Sequence, residues 1–334
     1  MVRPNLPEPA MKAVLSTRPG PPEALELVDL PDPEAGPGEV VVAVKAAALN
    51  FYDTLIIADR YQERPPRPFA PGGECAGVVA AVGPGVAGFA PGDRVAAYLR
   101  WGCAQEKVAV PADQLVKLPD ALSFERAAAL IIVYGTTFHA LQDRARLRPG
   151  ETLAVLGAAG GVGVAAIELG KLMGARVIAC ASSPDKLAFC RSLGADDSLD
   201  YTRQDLKAGL RALTGGAGVD VVYDAVGGPY SELALRGTAF GGRFLVVGFA
   251  AGEIPKIPLN LLLLSSRDVL GVNLGGWARR HRETFRAALA KLFDWAAEGR
   301  LSVPIDATFP LTETAAALQA IAGRRVRGKV VLVP

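Results

Sequence analysis

Hydrophobic and polar positions change rhythm twice along the chain. Up to about residue 120, short β-branched or alternating runs at 40–44, 77–82, 94–98 and 106–110 predict strands, and Met11–Val14 predicts the first one. PGVAGFAPGD (84–93) and LPDALS (118–123) predict the turns between them. Short strands at this spacing imply a β-rich barrel or sandwich with few helices. From Phe124 the pattern becomes helical, with Ser123 the expected N-cap. Apolar runs at 152–156, 175–180, 196–201, 219–224, 243–248 and 268–272 then alternate with helical stretches at 162–173, 184–193, 204–213 and 230–235. Such alternation predicts a parallel sheet with helices on both faces. Beyond Val272, residues 282–297 form an amphipathic helix with Phe285, Leu289, Leu292, Phe293 and Ala296 on its apolar stripe. A shorter helix at 312–321 and a closing strand in RGKVVLVP follow. This tail is too short to stand alone and is expected to complete the first domain.

The expected fold class is therefore α/β: a doubly wound parallel sheet over 127–274 and a β-rich domain made from 1–126 and 275–334. The length of 334 residues suits two domains. With 50% hydrophobic and 21% charged residues, disorder is excluded as the main state. The 36 Lys and Arg nearly balance the 34 Asp and Glu, leaving no electrostatic footprint for nucleic acid or an anionic membrane. Four scattered cysteines make no disulfide framework and fit a reducing compartment. Three prolines in the first nine residues suggest a loose extension, with Met11 an alternative start. No secretory signal or membrane span is readable, so a cytoplasmic location is expected.

The main chemical motif lies where the strand at 152–156 runs into GAAGGVG (157–163) and then into helix. This is an A-x-G-x-x-G turn, with Ala158 in the first glycine slot. Strand before, helix after and a second strand from Ala175 are the context of a dinucleotide turn. Gly160 would admit the pyrophosphate, Gly163 would let helix pack on strand, and the helix N-terminus would face the phosphates. About 20 residues on, an NAD enzyme would place an acid against the ribose 2′-hydroxyl. Here the second strand ends in Cys180-Ala181-Ser182-Ser183, with Lys186 beyond. Hydroxyls and a cation attract a 2′-phosphate, so NADPH is the expected cofactor.

The stretch PFAPGGECAGVVAAVGPGV (68–86) resembles the PxxxGHExxGxVxxVG segment of the medium-chain dehydrogenase/reductase superfamily. Its zinc alcohol dehydrogenases ligate metal through a Cys and the His of GHE. At those positions this chain has Asn50 and Gly73; Glu74 alone survives, and one carboxylate cannot satisfy four-coordinate zinc. His139 and His281 lie elsewhere in helical stretches. NFYD (50–53), GAAGGVG, SSPDK (182–186), SLGADDSLDY (192–201) and GVDVVYDAVGG (218–228) are similar to the zinc-free, zeta-crystallin-like quinone oxidoreductase branch. Residues 242–277 resemble its subgroup called quinone oxidoreductase-like protein 2.

The resemblance implies a Rossmann domain with a GroES-like catalytic domain. It also implies zinc-independent hydride transfer from NADPH to a quinone or an α,β-unsaturated carbonyl. By that resemblance, Ala159, Gly160, Gly161, Val162 and Gly163 hold the pyrophosphate. Ser182, Ser183, Lys186 and Tyr201 surround the adenosine and its 2′-phosphate. Asp224 and Val226 end the fourth strand beneath the cofactor, and Phe249 and Ala250 line the nicotinamide ribose. Backbone of Val272, Asn273 and Leu274 meets the carboxamide, and Asn50 and Thr136 lie close to the nicotinamide. Asn50 is the expected amide donor to the acceptor oxygen, with Tyr52 and Tyr134 as phenolic candidates. Leu55 and Asn273-Leu274-Gly275 depart from the family pattern near the expected substrate pocket. Two alternatives are an enoyl thioester reductase, for which Arg279, Arg280 and Arg282 form a basic run, and a non-catalytic NADPH- or RNA-binding protein. A homodimer is expected through the sheet edge at 268–272, hiding the apolar run Leu261–Leu264.

Overall fold

A computed structural model describes residues 11–334. The Pro-rich stretch 1–10, expected to be a loose extension, lies outside the described residues. The first segment opens with β1 (Met11–Leu15) paired antiparallel to β2 (Glu26–Leu30). It continues through β3 (Glu39–Leu49), α1 (Phe51–Ile56), β4 (Glu74–Val82), β5 (Arg94–Tyr98), β6 (Lys107–Pro111) and β7 (Leu115–Lys117) to α2 (Phe124–Phe138). β3 outruns the expected 40–44 because Ala46, Ala47 and Ala48 are buried and stay paired to β4 past a register shift, with buried Leu49 at its end. Ser123 caps α2 by accepting from the Arg126 N–H at 3.3 Å.

The middle segment alternates as expected: β8 (Thr152–Leu156), α3 (Gly161–Leu172), β9 (Arg176–Ala181), α4 (Pro184–Ser192), β10 (Asp197–Asp200), α5 (Leu206–Leu213), β11 (Val219–Asp224), α6 (Pro229–Arg236) and β12 (Thr238–Val246). Then come α7 (Asn260–Leu263), β13 (Asp268–Gly271) and α8 (Leu274–Arg280). The six strands are parallel in the order β10-β9-β8-β11-β12-β13. That is the doubly wound order, which reverses direction between β8 and β11. Leu153–Leu156 of β8 and Val221–Asp224 of β11 are buried throughout, as strands covered on both faces must be.

The last segment holds α9 (Arg282–Ala297), β14 (Ile305–Pro310), α10 (Thr314–Ala322) and β15 (Lys329–Val333). β15 pairs antiparallel with β3, so the closing strand joins the β-rich sheet, whose order is β14-β15-β3-β4-β5-β7 with β6 also on β3.

The chain divides into two compact units: one runs to Ile132 and adds 281–297 and 305–334, the other covers 133–280 and 298–304. Helix α8 stays with the parallel sheet rather than opening the tail, because Trp277 stacks on His139 at 4.3 Å. Residues 298–304 join it through Ser302, whose N–H and hydroxyl donate to Glu168 at 2.8 and 2.6 Å.

The β13 edge leaves large apolar side chains in the open: Phe240, Leu259, Leu263 and Leu264 are 78%, 77%, 82% and 72% exposed. The expected apolar run is corrected in part. Leu261 is buried in the parallel-sheet core and Leu262 packs against it, since one helical turn sends neighbours to opposite sides.

Candidate functional site

In the parallel-sheet unit, the loops after β8, β11 and β12 nest at the carboxyl ends of the strands. Leu156 and Asp224 are register neighbours, so the two loops leave side by side. Gly157 adopts φ +70°, and a Cβ there would stand 2.9 Å from Val226 Cγ2. Gly227 at φ +72° faces Phe249 as closely. Ala250 N–H donates to the Ala225 carbonyl at 3.2 Å, and Ala251 N–H to Val226 at 2.7 Å. Asp224 organises the nest: it accepts from the Val226 and Gly227 N–H groups and from the Ser231 hydroxyl, at 2.8, 3.0 and 2.6 Å. Burial pushes its carboxyl up, and those three donors oppose the shift. Asp224 is thus a loop organiser.

The glycines of the turn differ in what they answer to. A Cβ on Gly163 would collide with the Gly157 carbonyl oxygen and stand 2.7 Å from Ala158 Cα. Its bareness is a packing requirement of α3 on β8. Gly160 would meet only the Gly157 oxygen, at 3.4 Å, so the fold itself leaves its upper side open. Gly160 is the N-cap residue, and the first N–H groups of α3, at Gly161 and Val162, have no partner within the helix. A glycine that the chain does not need, beside unpaired donors at a positive helix end, fits a phosphate-bearing ligand.

Ser182, Ser183 and Lys186 gather at the end of β9. Ser183 Oγ accepts from Lys186 N–H at 3.4 Å, capping α4, and Lys186 Nζ reaches Ser182 Oγ at 3.4 Å. Tyr201 joins them: its N–H donates to the Ala181 carbonyl at 3.3 Å, and its ring lies 4.5 Å from that of Tyr230. The nearby carboxylate of Asp200 is spent on the N–H and hydroxyl of Thr202, at 2.9 and 2.6 Å. Val272 continues the β13 line by donating to the Val246 carbonyl at 3.0 Å. Asn273 and Leu274 do not continue the strand. Asn273 Oδ1 accepts from Gly276 N–H at 2.8 Å, and Leu274 starts α8 and is buried. The asparagine side chain starts a helix that the sequence pattern did not announce. Thr136 is half-buried on α2.

Tyr134 falls away from its expected role as a donor. It is 1% exposed, and its hydroxyl donates to Glu168 on α3. A phenol buried this fully needs an internal partner, and the carboxylate provides it.

In the β-rich unit, Asn50, Tyr52, Asp53, Gly73, Glu74 and Lys329 come together. Asn50 precedes α1, and its N–H donates to Asp53 Oδ2 at 2.7 Å. Asp53 is fully buried and also accepts from Gly72 N–H at 3.0 Å; burial pushes its carboxyl up to about 7. Tyr52 donates to the Arg100 carbonyl at 2.8 Å. Burial raises its phenol well above the ordinary value, so it stays protonated at neutral pH. A Cβ at Gly73 would collide with that hydroxyl and stand 2.7 Å from the Arg100 carbonyl oxygen. Any side chain at the expected histidine position is therefore excluded. Asn50 Nδ2 donates to Glu74 Oε1 at 2.8 Å, and Lys329 Nζ sits on the same oxygen at 2.7 Å. An amide, a hydroxyl and an ammonium are not a zinc donor set. Among the described residues, no cluster of three or more His, Cys, Asp and Glu could hold a metal ion. His139 instead bonds Asp143 at 2.7 Å and stacks on Trp277.

Lys329 is the member of this cluster that sequence reasoning missed. Its signal was a lone cation in the apolar run Lys329–Val333, four of whose five positions are buried.

A doubly wound nucleotide-type sheet and a β-rich sheet closed by the chain's last strand define a two-unit dehydrogenase class. Residues 36–120 match the family described as alcohol dehydrogenase GroES-like domain, and 161–294 match the one described as zinc-binding dehydrogenase. The chain is 39% identical over 300 residues to a quinone oxidoreductase-like protein 2 homolog of Nematostella vectensis, covering 89% of this chain and 82% of that one. Among solved structures, Pseudomonas syringae quinone oxidoreductase matches with TM-score 0.91 and 36% identity, over 97% of this chain and all 100% of that one. Escherichia coli quinone oxidoreductase, complexed with NADPH, matches with TM-score 0.91 and 31% identity, again over 97% and 100%. The chain belongs to the medium-chain dehydrogenase/reductase superfamily, among its quinone oxidoreductases. No helix of the described residues is long and apolar enough to cross a membrane.

Proposed function

We propose that the protein is an NADPH-dependent reductase of quinones or α,β-unsaturated carbonyls that works without zinc. The observation that carries this reading is the end of β9, where the hydroxyls of Ser182 and Ser183 and the ammonium of Lys186 stand together. A 2′-phosphate finds hydroxyls and a cation there. The NADPH in the E. coli relative supports the same cofactor. When bound, NADPH supplies a hydride from its nicotinamide ring. The backbone from Ala159 to Gly163 would hold the pyrophosphate, while Phe249 and Ala250 would line the nicotinamide ribose. Backbone of Val272 to Leu274 would meet the carboxamide. Asn50 donates an N–H to the acceptor oxygen. A reduced quinone is a comparatively stable oxyanion, so no strong general acid is required, and solvent delivers the proton. With its O–H engaged by Arg100, Tyr52 shapes the wall beside Gly73.

The acceptor is a small molecule, and a second copy of the chain covers the exposed β13 edge. Absorbance at 340 nm, followed with NADPH or NADH against a panel of quinones and enones, tests the reading. NADPH oxidation by several of them, unaffected by a metal chelator, is expected. No turnover of any quinone or enone would overturn it, as would a requirement for added zinc.

A further inference from the structure

We propose that Lys329 is a positioning residue: it fixes the polarity of the Asn50 amide, making the amide's remaining N–H an obligatory donor to the substrate's carbonyl oxygen. The inference rests on the quinone and enone reading above and names what selects the acceptor. Lys329 is 4% exposed, and Nζ has three acceptors: the Leu49 carbonyl at 2.8 Å, Asn50 Oδ1 at 2.6 Å and Glu74 Oε1 at 2.7 Å. An ammonium has three donors and no acceptor, so all its hydrogens are used. A neutral amine would leave one of the three oxygens unpaired.

The consequence falls on Asn50. Its two amide ends are nearly alike in shape and are told apart by their partners. The end facing Nζ must be oxygen, because nitrogen there would set donor against donor at 2.6 Å. The other end must then be the NH2, which donates to Glu74 Oε1 at 2.8 Å. In the reversed orientation, two acceptor oxygens would meet at that distance. Glu74 is held in turn, with Oε2 accepting from the Ile132 N–H at 2.6 Å. The amide nitrogen carries two hydrogens, and only one is spent on Glu74. The second has no partner among the described residues, on a side chain that is 9% exposed. An unspent donor on a side chain this buried calls for an acceptor from a ligand. A carbonyl oxygen fits it, and more so as negative charge develops there during hydride transfer. An alcohol finds no acceptor at this point. Lys329 touches no substrate in this scheme and acts through Asn50.

The test measures acceptor chemistry separately from folding. The probes are 1,4-naphthoquinone for turnover and carbonyl-labelled cyclohex-2-enone for infrared difference spectra. In the wild type, the enone carbonyl stretch is expected to move to lower frequency on binding. Lys329→Met alone strands the buried Glu74 carboxylate and is prone to misfold. The decisive variant is Lys329→Met with Glu74→Gln, which removes both charges and leaves the amide free to turn. It is expected to lose the carbonyl shift and at least tenfold in kcat while keeping its KM for NADPH. Lys329→Arg, still a pure donor, is expected to recover part of both. A folded double variant with wild-type kcat and an unchanged carbonyl shift would overturn the inference alone. So would a wild type that turns over the quinone yet shows no carbonyl shift. A wild type that oxidises NADPH with neither probe would overturn the proposed function as well.

Discussion

Replacing Lys186 by Ala isolates what the chain does about the cofactor's 2′-phosphate. Lys186 sits in the first turn of α4, half-buried, with Nζ 3.4 Å from Ser182 Oγ. A hydrogen bond to a charged group is worth about 1.5–3 kcal/mol. Partial exposure and screening by salt place this one at the lower end. A loss of about 1.5 kcal/mol is roughly a tenfold rise in Kd. NADPH should therefore bind about tenfold more weakly to Lys186→Ala, with NADH little changed. Titration of intrinsic fluorescence with each cofactor reads both constants. The wild-type preference should also shrink as ionic strength rises, because the interaction is partly screened. Ser183→Ala removes an N-cap worth about 1 kcal/mol and should lower stability. Equal weakening of NADPH and NADH by Lys186→Ala would refute the assignment, as would equal wild-type affinity for the two.

The remaining expectations concern packing, metal, protons and assembly. Gly163→Ala should destabilise the protein by about 1–3 kcal/mol through overpacking against Gly157 and Ala158, read as a lower urea midpoint. Gly73→His should acquire no zinc on dialysis and should lower the Tm, since its Cβ meets the Tyr52 hydroxyl and the Arg100 carbonyl; stoichiometric zinc in a stable variant would contradict this. Asp53 is raised from 3.8 to about 7, so between those values the folded state holds a proton that the unfolded state has released. Its contribution to stability should accordingly fall as pH rises from about 4 to 7 and level off above, a slope reduced in Asp53→Asn on chemical denaturation. Leu270→Pro removes an N–H from the exposed β13 edge and should weaken a homodimer in sedimentation; a wild type that sediments as a monomer at micromolar concentration contradicts the assembly.

Much of the parallel-sheet unit was legible because its information is local. Burial on both faces makes Leu153–Leu156 and Val221–Asp224 read as short apolar runs, and Ser123 and Ser183 announce their helices. The short helix after Val272 went unread for an equally physical reason. Asn273 has the composition of a loop residue, and only its bond to Gly276 N–H shows that it starts another helix. Similarly, Tyr134 on α2 was a phenolic candidate. Tyr134 is instead spoken for by Glu168, 34 residues away, a partner that no local pattern reveals.

The β-rich site shows the same limit at its longest range. Reading Asn50 and Gly73 as lost ligand positions required only the neighbouring motif. The partner that Asn50 and Glu74 share could not be read there, because it comes from the far end of the chain. β15 returns to pair Val330 with Leu49, and that register carries Lys329 to Asn50, 279 positions away in sequence. A buried carboxylate such as Glu74 tolerates ionisation only beside a compensating charge. The fold meets this need with an ammonium on its closing strand. An ammonium donates and does not accept, so it balances charge and also dictates the orientation of the neighbouring amide. Zinc would demand lone pairs from the side chains around it, whereas Lys329 leaves Asn50 with a hydrogen to give. In this chain Asn50, Glu74 and Lys329 thus form a centre that offers a hydrogen bond rather than electron pairs.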